Sequence, residues 1–223
     1  MTHKRKNESA RQIRRLTGGQ NAHAAIGTLE PGCEIFGFSK GQFSKINLLT
    51  ALLEQTGPAH VTVCTWSALH GHIDDVHVLL KNQAILSMRW LIDFSFLSRR
   101  PDYIANLRHR FADDCIRVTS CHAKFMIIRN ERWNLAIRTS MNLTDNPRFE
   151  NFEISDDPGL ADFLDRMVDE VFETPNAPAT FDSIPQEHKD AFSKFGTDPN
   201  AGDSADHLGI SLDDPAKPGL SQG

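Results

Sequence analysis

Residues 120–142 read SCHAKFMIIRNERWNLAIRTSMN. His122 and Lys124 stand two apart before one apolar run, and Ser140 and Asn142 stand two apart at the end of the next. Side chains two apart on a strand share a face. AKFMIIR (123–129) and NLAIRT (134–139), joined by the polar NER at 130–132, have the length and composition of a β-hairpin. Pairing them gathers an imidazole, an ammonium, a hydroxyl and a carboxamide at one sheet edge. Such a set suits a phosphate without metal: one nucleophile or acid, and three donors for the oxygens. No cluster of carboxylates competes for that role, which argues against a Mg²⁺-dependent nuclease.

The flanking sequence supplies a sheet for this hairpin. CEIFGF (33–38), HVTVCTW (60–66) and ILSMRWLI (85–92) read as strands. Between them lie helical periods, one with Ile46, Leu49, Leu52 and Leu53 ending at Gly57-Pro58, another with Ile73, Val76, Leu79 and Leu80. Pro101 opens a helix carrying Tyr103, Ile104 and Leu107. IRV (116–118) and NFEI (151–154) add strands. A final helix, capped by Asp157 and entered through Pro158, carries Leu160, Phe163, Leu164, Met167, Val168, Val171 and Phe172 on one face. Alternation of this kind implies an α/β domain with a mixed, largely parallel sheet flanked by helices on both faces. The predicted organisation is a basic N-terminal arm over 1–30, one domain over 31–173 and an acidic, largely disordered tail over 174–223, with IPQEHKDAFSKF as a short docking helix inside that tail.

HAK, then an apolar strand, then TSMN, then the NFE of Asn151-Phe152-Glu153 resembles the HxK…SxN…E signature of the phospholipase D superfamily, above all its small single-motif nucleases. The resemblance spans roughly residues 31–173. It implies a phospholipase D-like fold and a phosphodiesterase that needs no metal or other cofactor. His122 would attack phosphorus to give a covalent phosphohistidine, or protonate the leaving group in the partner copy. Lys124 and Asn142 would hold the non-bridging oxygens with help from Ser140. Glu153 would accept a hydrogen bond from the second imidazole nitrogen and fix the tautomer. Two positions depart from the pattern: the motif aspartate, five residues after the lysine, falls on Arg129, and the glycine before the serine is Thr139. These departures suit a rival reading, a degenerate nucleic-acid-binding or assembly module. The family works with two motifs, and none of the other nine histidines has a lysine two places on. A second copy must therefore supply the second histidine, which implies a two-fold homodimer with the site across the axis.

Composition sets the context. The 223 residues are 39% hydrophobic and 24% charged, with a net charge of −5, as befits one globular domain with polar extensions. No apolar run reaches the ~20 residues of a membrane helix, so a cytoplasmic protein without membrane contact is expected. Charge is unevenly spread. Residues 1–15 hold Lys4, Arg5, Lys6, Arg11, Arg14 and Arg15 against Glu8, a stretch that suits either phosphate contact or a solvated extension. The tail holds eight acids against three lysines, a candidate segment for docking a protein partner. Nucleic acid, with DNA favoured, is the expected substrate.

Other motifs compete less well. LHGHIDDVH (69–77) resembles the H-x-H-x-D metal loop of metallo-β-lactamase-like hydrolases, but Asp75 takes the place of the final histidine. Cys33, Cys64, Cys115 and Cys121 form no CxxC pair and read as reduced, small apolar side chains. Trp66, Trp90, Trp133 and Tyr103 are candidates for base stacking or for the core. Arg99, Arg100 and the RHR at 108–110 suit a phosphate groove or a solvated helix face. Ser39-Lys40-Gly41-Gln42 lacks the glycine-lysine pattern of a nucleotide loop.

Overall fold

The structure is a computed structural model that describes residues 12–15, 21–145 and 148–173. The acidic tail and its docking helix lie outside the described residues, as do Lys4, Arg5, Lys6 and Arg11.

The hairpin stands at the centre of the sheet. β6 (Phe125–Arg129) pairs with β7 (Asn134–Thr139) in antiparallel register, Phe125 opposite Arg138 and Arg129 opposite Asn134. Asn130 makes the turn: its Oδ1 accepts from the N–H groups of Arg132 and Trp133 at 3.0 and 2.9 Å. Its amide donates to the carbonyls of Thr56 and Pro58 at 3.0 and 3.1 Å, tying the turn to the neighbouring helix end. An Asx turn of this kind satisfies backbone donors that a tight loop would otherwise strand.

Around the hairpin lie β1 (Gln12–Arg15), β2 (Glu34–Ser39), β3 (Ala59–Thr65), β4 (Ile85–Asp93), β5 (Ile116–Thr119) and β8 (Glu150–Asp156). The sheet order is β1-β2-β8-β7-β6-β3-β4-β5. Pairs β1–β2, β3–β4 and β4–β5 run parallel, whereas β2–β8, β8–β7, β7–β6 and β6–β3 run antiparallel. The expected mixed α/β sheet is present, but its centre is antiparallel rather than largely parallel. The physical reason is the short β6–β7 link, which forces reversal where a helical crossover would have kept direction.

The helices are α1 (Ala22–Ile26), α2 (Lys45–Thr56), α3 (His70–Lys81), α4 (Phe94–Arg99), α5 (Pro101–Arg110) and α6 (Pro158–Glu173). The folded part begins before residue 31. β1 pairs with β2, and Ala22, Ala25 and Ile26 of α1 are buried. One sheet face, with Val63, Trp90, Ile137 and Phe152 fully buried, packs on α2, α3 and α5: Phe43 meets Phe152 edge-on at 5.7 Å and Phe111 meets Trp90 at 5.3 Å. The other face presents Cys64, Leu91, Phe125 and Ile127 to Ala161, Leu164, Val168, Val171 and Phe172 of α6. Asp157 caps α6 by accepting from the Leu160 N–H at 3.1 Å. The expected apolar stripe of α6 is only partly used for cover, since Met167 remains 39% exposed.

Salt bridges complete the seating of α6. Arg129 reaches Asp165 at 2.7 Å and Asp162 at 2.8 Å, and Arg89 reaches Asp165 and Asp169 at 2.6 Å each. The position where the motif aspartate was expected is thus a basic clamp on the helix. It sits at the far end of β6 from Lys124, five residues or roughly 16 Å along an extended strand. Thr139, where the resemblance led one to expect glycine, is buried and also structural: its hydroxyl donates to Asn151 O at 2.7 Å and accepts from Met141 N–H at 3.0 Å.

Lys45, the first residue of α2, is fully buried beneath β3 and β6. Its Nζ donates to Cys64 O at 2.7 Å and Phe125 O at 3.4 Å. Desolvation pushes its pKa down to about 7 from the usual 10.5, and the nearby Lys124 adds to the shift.

Two outcomes follow from these contacts. Arg129→Asp, which installs the acid that the resemblance led one to expect, should destabilise the fold by about 1–3 kcal/mol, because it removes two partly shielded ion pairs and sets a carboxylate against Asp162 and Asp165. Arg129→Gln should cost about 1 kcal/mol by the same urea-unfolding measurement. For Lys45, the folded state gives up its proton near pH 7 and the unfolded chain near 10.5. Across that window the unfolded state binds more protons, so rising pH favours the fold. Wild-type protein should gain stability relative to Lys45→Met between pH 7 and pH 10 in paired urea melts.

Candidate active site

Four of the candidate residues, His122, Lys124, Ser140 and Asn142, meet the sheet at one edge. Here β3 and β7 end, and β6 and β8 begin. His122 and Lys124 do not lie on β6 itself, which starts at Phe125, but in the extended segment leading into it. That segment is held by backbone pairing, the Thr139 N–H donating to Lys124 O at 3.1 Å. The Lys124 ammonium donates to His122 O at 3.1 Å and lies 3.5 Å from His122 Nδ1. His122 is exposed, and its ring meets the edge of Trp66 with centroids 5.7 Å apart. Trp66 in turn is fixed by its indole N–H, which donates to Ser95 Oγ at 2.9 Å, and carries the Arg99 guanidinium 4.9 Å from its ring centre.

Ser140 follows the last residue of β7 and is bound to the start of β8. Its hydroxyl donates to the Glu150 carboxylate and accepts from the Asn151 N–H at 3.0 Å, while its own N–H donates to Asn151 O at 3.2 Å. Beyond it the chain crosses the end of β6 to the exit of β3. Leu143 N–H donates to Ser67 O at 3.1 Å, and Leu69 N–H donates to Leu143 O at 2.9 Å. Asn142 rides on this crossing. Its Oδ1 is buried with no hydrogen-bond partner, a costly arrangement for a carboxamide.

Lys124, Ser140, Asn151 and Arg138 share the rim of a cavity of about 610 Å³ whose walls include Leu91, Phe125, Phe163, Leu164 and Met167. Side chains of α6, Phe163, Leu164, Met167, Val168 and Val171, form part of its wall. Polar donors thus ring a space that is apolar within.

Glu153 is placed differently from its expected role. It sits within β8 opposite Arg138 and pairs with that guanidinium at 2.7 Å. A mid-strand carboxylate points across the sheet face, whereas the cluster gathers at the strand ends. The acid at that edge is Glu150, which sequence reasoning passed over. Its signal was its place, the first residue of a strand whose entry faces the end of β7.

The histidines of the H-x-H-x-D stretch lie on α3 and turn to separate partners, His70 to Asp102 at 3.2 Å and His72 to Asp145 at 3.0 Å. Among the described residues no three His, Cys, Asp or Glu side chains are grouped to hold a metal ion. No helix among them is long and apolar enough to cross a membrane. Trp90 and Trp133 are buried in the core, while Trp66 borders the cluster.

No family model matches the chain, and no curated protein matches it. Similar solved structures include a phospholipase D family member, Nuc, from Salmonella typhimurium, at 16% identity and a TM-score of 0.45, covering 62% of this chain and 93% of that one. NucT from Helicobacter pylori aligns at 12% identity and a TM-score of 0.44, covering 62% and 97%. Polyphosphate kinase from Porphyromonas gingivalis aligns at 10% identity and 0.45, covering 64% and 26%.

Proposed function

We propose that the protein is a metal-independent phosphodiesterase, a nuclease, that works through a covalent phosphohistidine at a homodimer interface. The observation that carries this reading is the side-by-side placement of His122 and Lys124 at a sheet edge where Lys124 shares a cavity rim with Ser140 and Asn151. A ring nitrogen of His122 attacks phosphorus, and the leaving oxygen takes a proton from the second copy's imidazole. Water then cleaves the phosphorus–nitrogen bond, and the second copy's imidazole, left without its proton by the first step, acts as base and takes the proton from that water. Lys124 neutralises charge on the non-bridging oxygens, and the Asn142 carboxamide, unpaired in this structure at Oδ1, donates through its Nδ2. Attack requires one ring nitrogen with a free lone pair, so the other needs an acceptor for its N–H. Glu150, already drawn to this edge by Ser140, takes that role in place of Glu153, which is committed to Arg138.

Support for the second copy comes from the surface beside the cluster. Phe149, next to Glu150, is 66% exposed and stacks on Phe38 at 4.9 Å, with Phe38 itself 37% exposed. Apolar surface of this kind bordering an incomplete site suits a self-complementary contact. Support for nucleic acid comes from exposed cations around the same edge, Arg99, Arg138 and Arg148, which suit the phosphates flanking a scissile bond. DNA is favoured.

The test incubates full-length protein with single- and double-stranded DNA, RNA and bis-p-nitrophenyl phosphate. Hydrolysis should persist in EDTA and fall by roughly 10³-fold or more in His122→Ala and Lys124→Ala, with unfolding midpoints unchanged. Glu150→Gln should slow turnover, while Glu153→Gln should act on stability alone. Activity per protomer should fall on dilution in step with dimer dissociation followed by analytical ultracentrifugation. Nucleic-acid binding equal in wild type and His122→Ala, with turnover in neither, would establish the non-catalytic module instead.

A further inference from the structure

Four cysteines read from sequence alone as scattered apolar residues, yet two of them meet. Cys64 Sγ at the end of β3 lies 3.4 Å from Cys121 Sγ in the segment that leads into β6. The pair is separated by 57 positions in sequence, so only the β3–β6 pairing brings it together. A disulfide holds its sulfurs about 2.05 Å apart, so closure asks for an approach of roughly 1.4 Å. The mobility that requires is available on one side. Cys64 is fully buried in the core beneath α6, whereas Cys121 is half-buried, lies outside any regular element and lines the 610 Å³ cavity.

We propose that Cys121 and Cys64 form a hydroperoxide-reactive thiol pair, Cys121 reacting first and Cys64 resolving it to an intramolecular disulfide. The Cys121 thiolate attacks one oxygen of the peroxide: a sulfur–oxygen bond forms, the oxygen–oxygen bond breaks and hydroxide leaves. The product is a sulfenic acid. Cys64 sulfur then attacks the Cys121 sulfur, the sulfur–oxygen bond breaks, and the departing hydroxide takes the Cys64 proton to become water. Two thiols are oxidised and one peroxide is reduced to two waters.

The surroundings fit this order of events. The hydrogen bond with Cys64 draws the Cys121 thiol below its ordinary range, opposed by burial and by Asp93 and aided by Lys124. Cys64 shifts the opposite way, first through its bond to Cys121 and then through burial. Of the two, the half-buried sulfur beside the cavity is therefore the one that ionises more readily. Cys121 also has one backbone anchor, its N–H donating to Asp93 Oδ2 at 2.9 Å.

Cys121 directly precedes His122. Pulling its sulfur towards β3 displaces the segment that carries the imidazole, so the bridge should slow hydrolysis reversibly. This consequence, unlike the bridge itself, rests on the proposed function.

The test treats full-length protein with hydrogen peroxide and maps thiols by mass spectrometry without reduction. Trypsin leaves Cys64 in residues 46–81 and Cys121 in 118–124. These two peptides should appear joined and separate again with dithiothreitol. In Cys64→Ala, Cys121 should be trapped as a dimedone adduct; in Cys121→Ser, Cys64 should stay unmodified at the same dose. Pairing of Cys33 or Cys115 in preference, or a Cys121 sulfinic acid with Cys64 still free in the wild type, would overturn the proposal. Peptide masses decide the bridge whether or not the protein hydrolyses anything. With an active protein, peroxide should lower turnover at least tenfold and dithiothreitol should restore it; unaltered turnover in fully bridged protein would overturn the coupling to His122.

Discussion

The site depends on one constraint: β6 enters the sheet between the exits of β3 and β7. Antiparallel pairing on both sides of β6 sets the start of one strand beside the ends of two others, and the β7–β8 pairing sets Glu150 and Asn151 beside Ser140. Polar groups from separate stretches thus collect at a single edge. The sheet interior below is built of Val63, Met126, Ile137 and Ile154, each at 0% exposure, and such packing leaves little room for the edge to shift.

The fold was legible where period and punctuation agreed. The β6–β7 hairpin declared itself through two apolar runs around a polar turn, and α6 through apolar residues at helical spacing behind an aspartate cap. β1 was not legible, because QIRR carries no alternation and becomes a strand only by lying alongside β2. α4 was missed because FSFLSR reads as a continuation of the apolar strand before it; what turns it is the Asp93 carboxylate, which accepts from the Ser95 N–H at 2.9 Å. Tertiary partners decide such short segments.

The candidate site was legible in part for a related reason. Spacing showed that His122 and Lys124 belong together, and the structure places their side chains within 3.5 Å. Spacing did not show which acid reaches the edge, since Glu150 and Glu153 differ only in their position along one strand. Nor did it show what Arg129 does: at the opposite end of β6 it serves the seating of α6. Lys45 and the Cys64–Cys121 pair were invisible because each depends on contacts between elements far apart in sequence.

The placement of α6 has a consequence for biosynthesis. It is the last described helix, yet it packs over Leu91, Phe125 and Ile127, which belong to strands made well before it. A nascent chain therefore carries that oily strip bare to water until residue 173 has left the ribosome, and during that interval the half-built sheet is a natural client for chaperones that shield apolar surface.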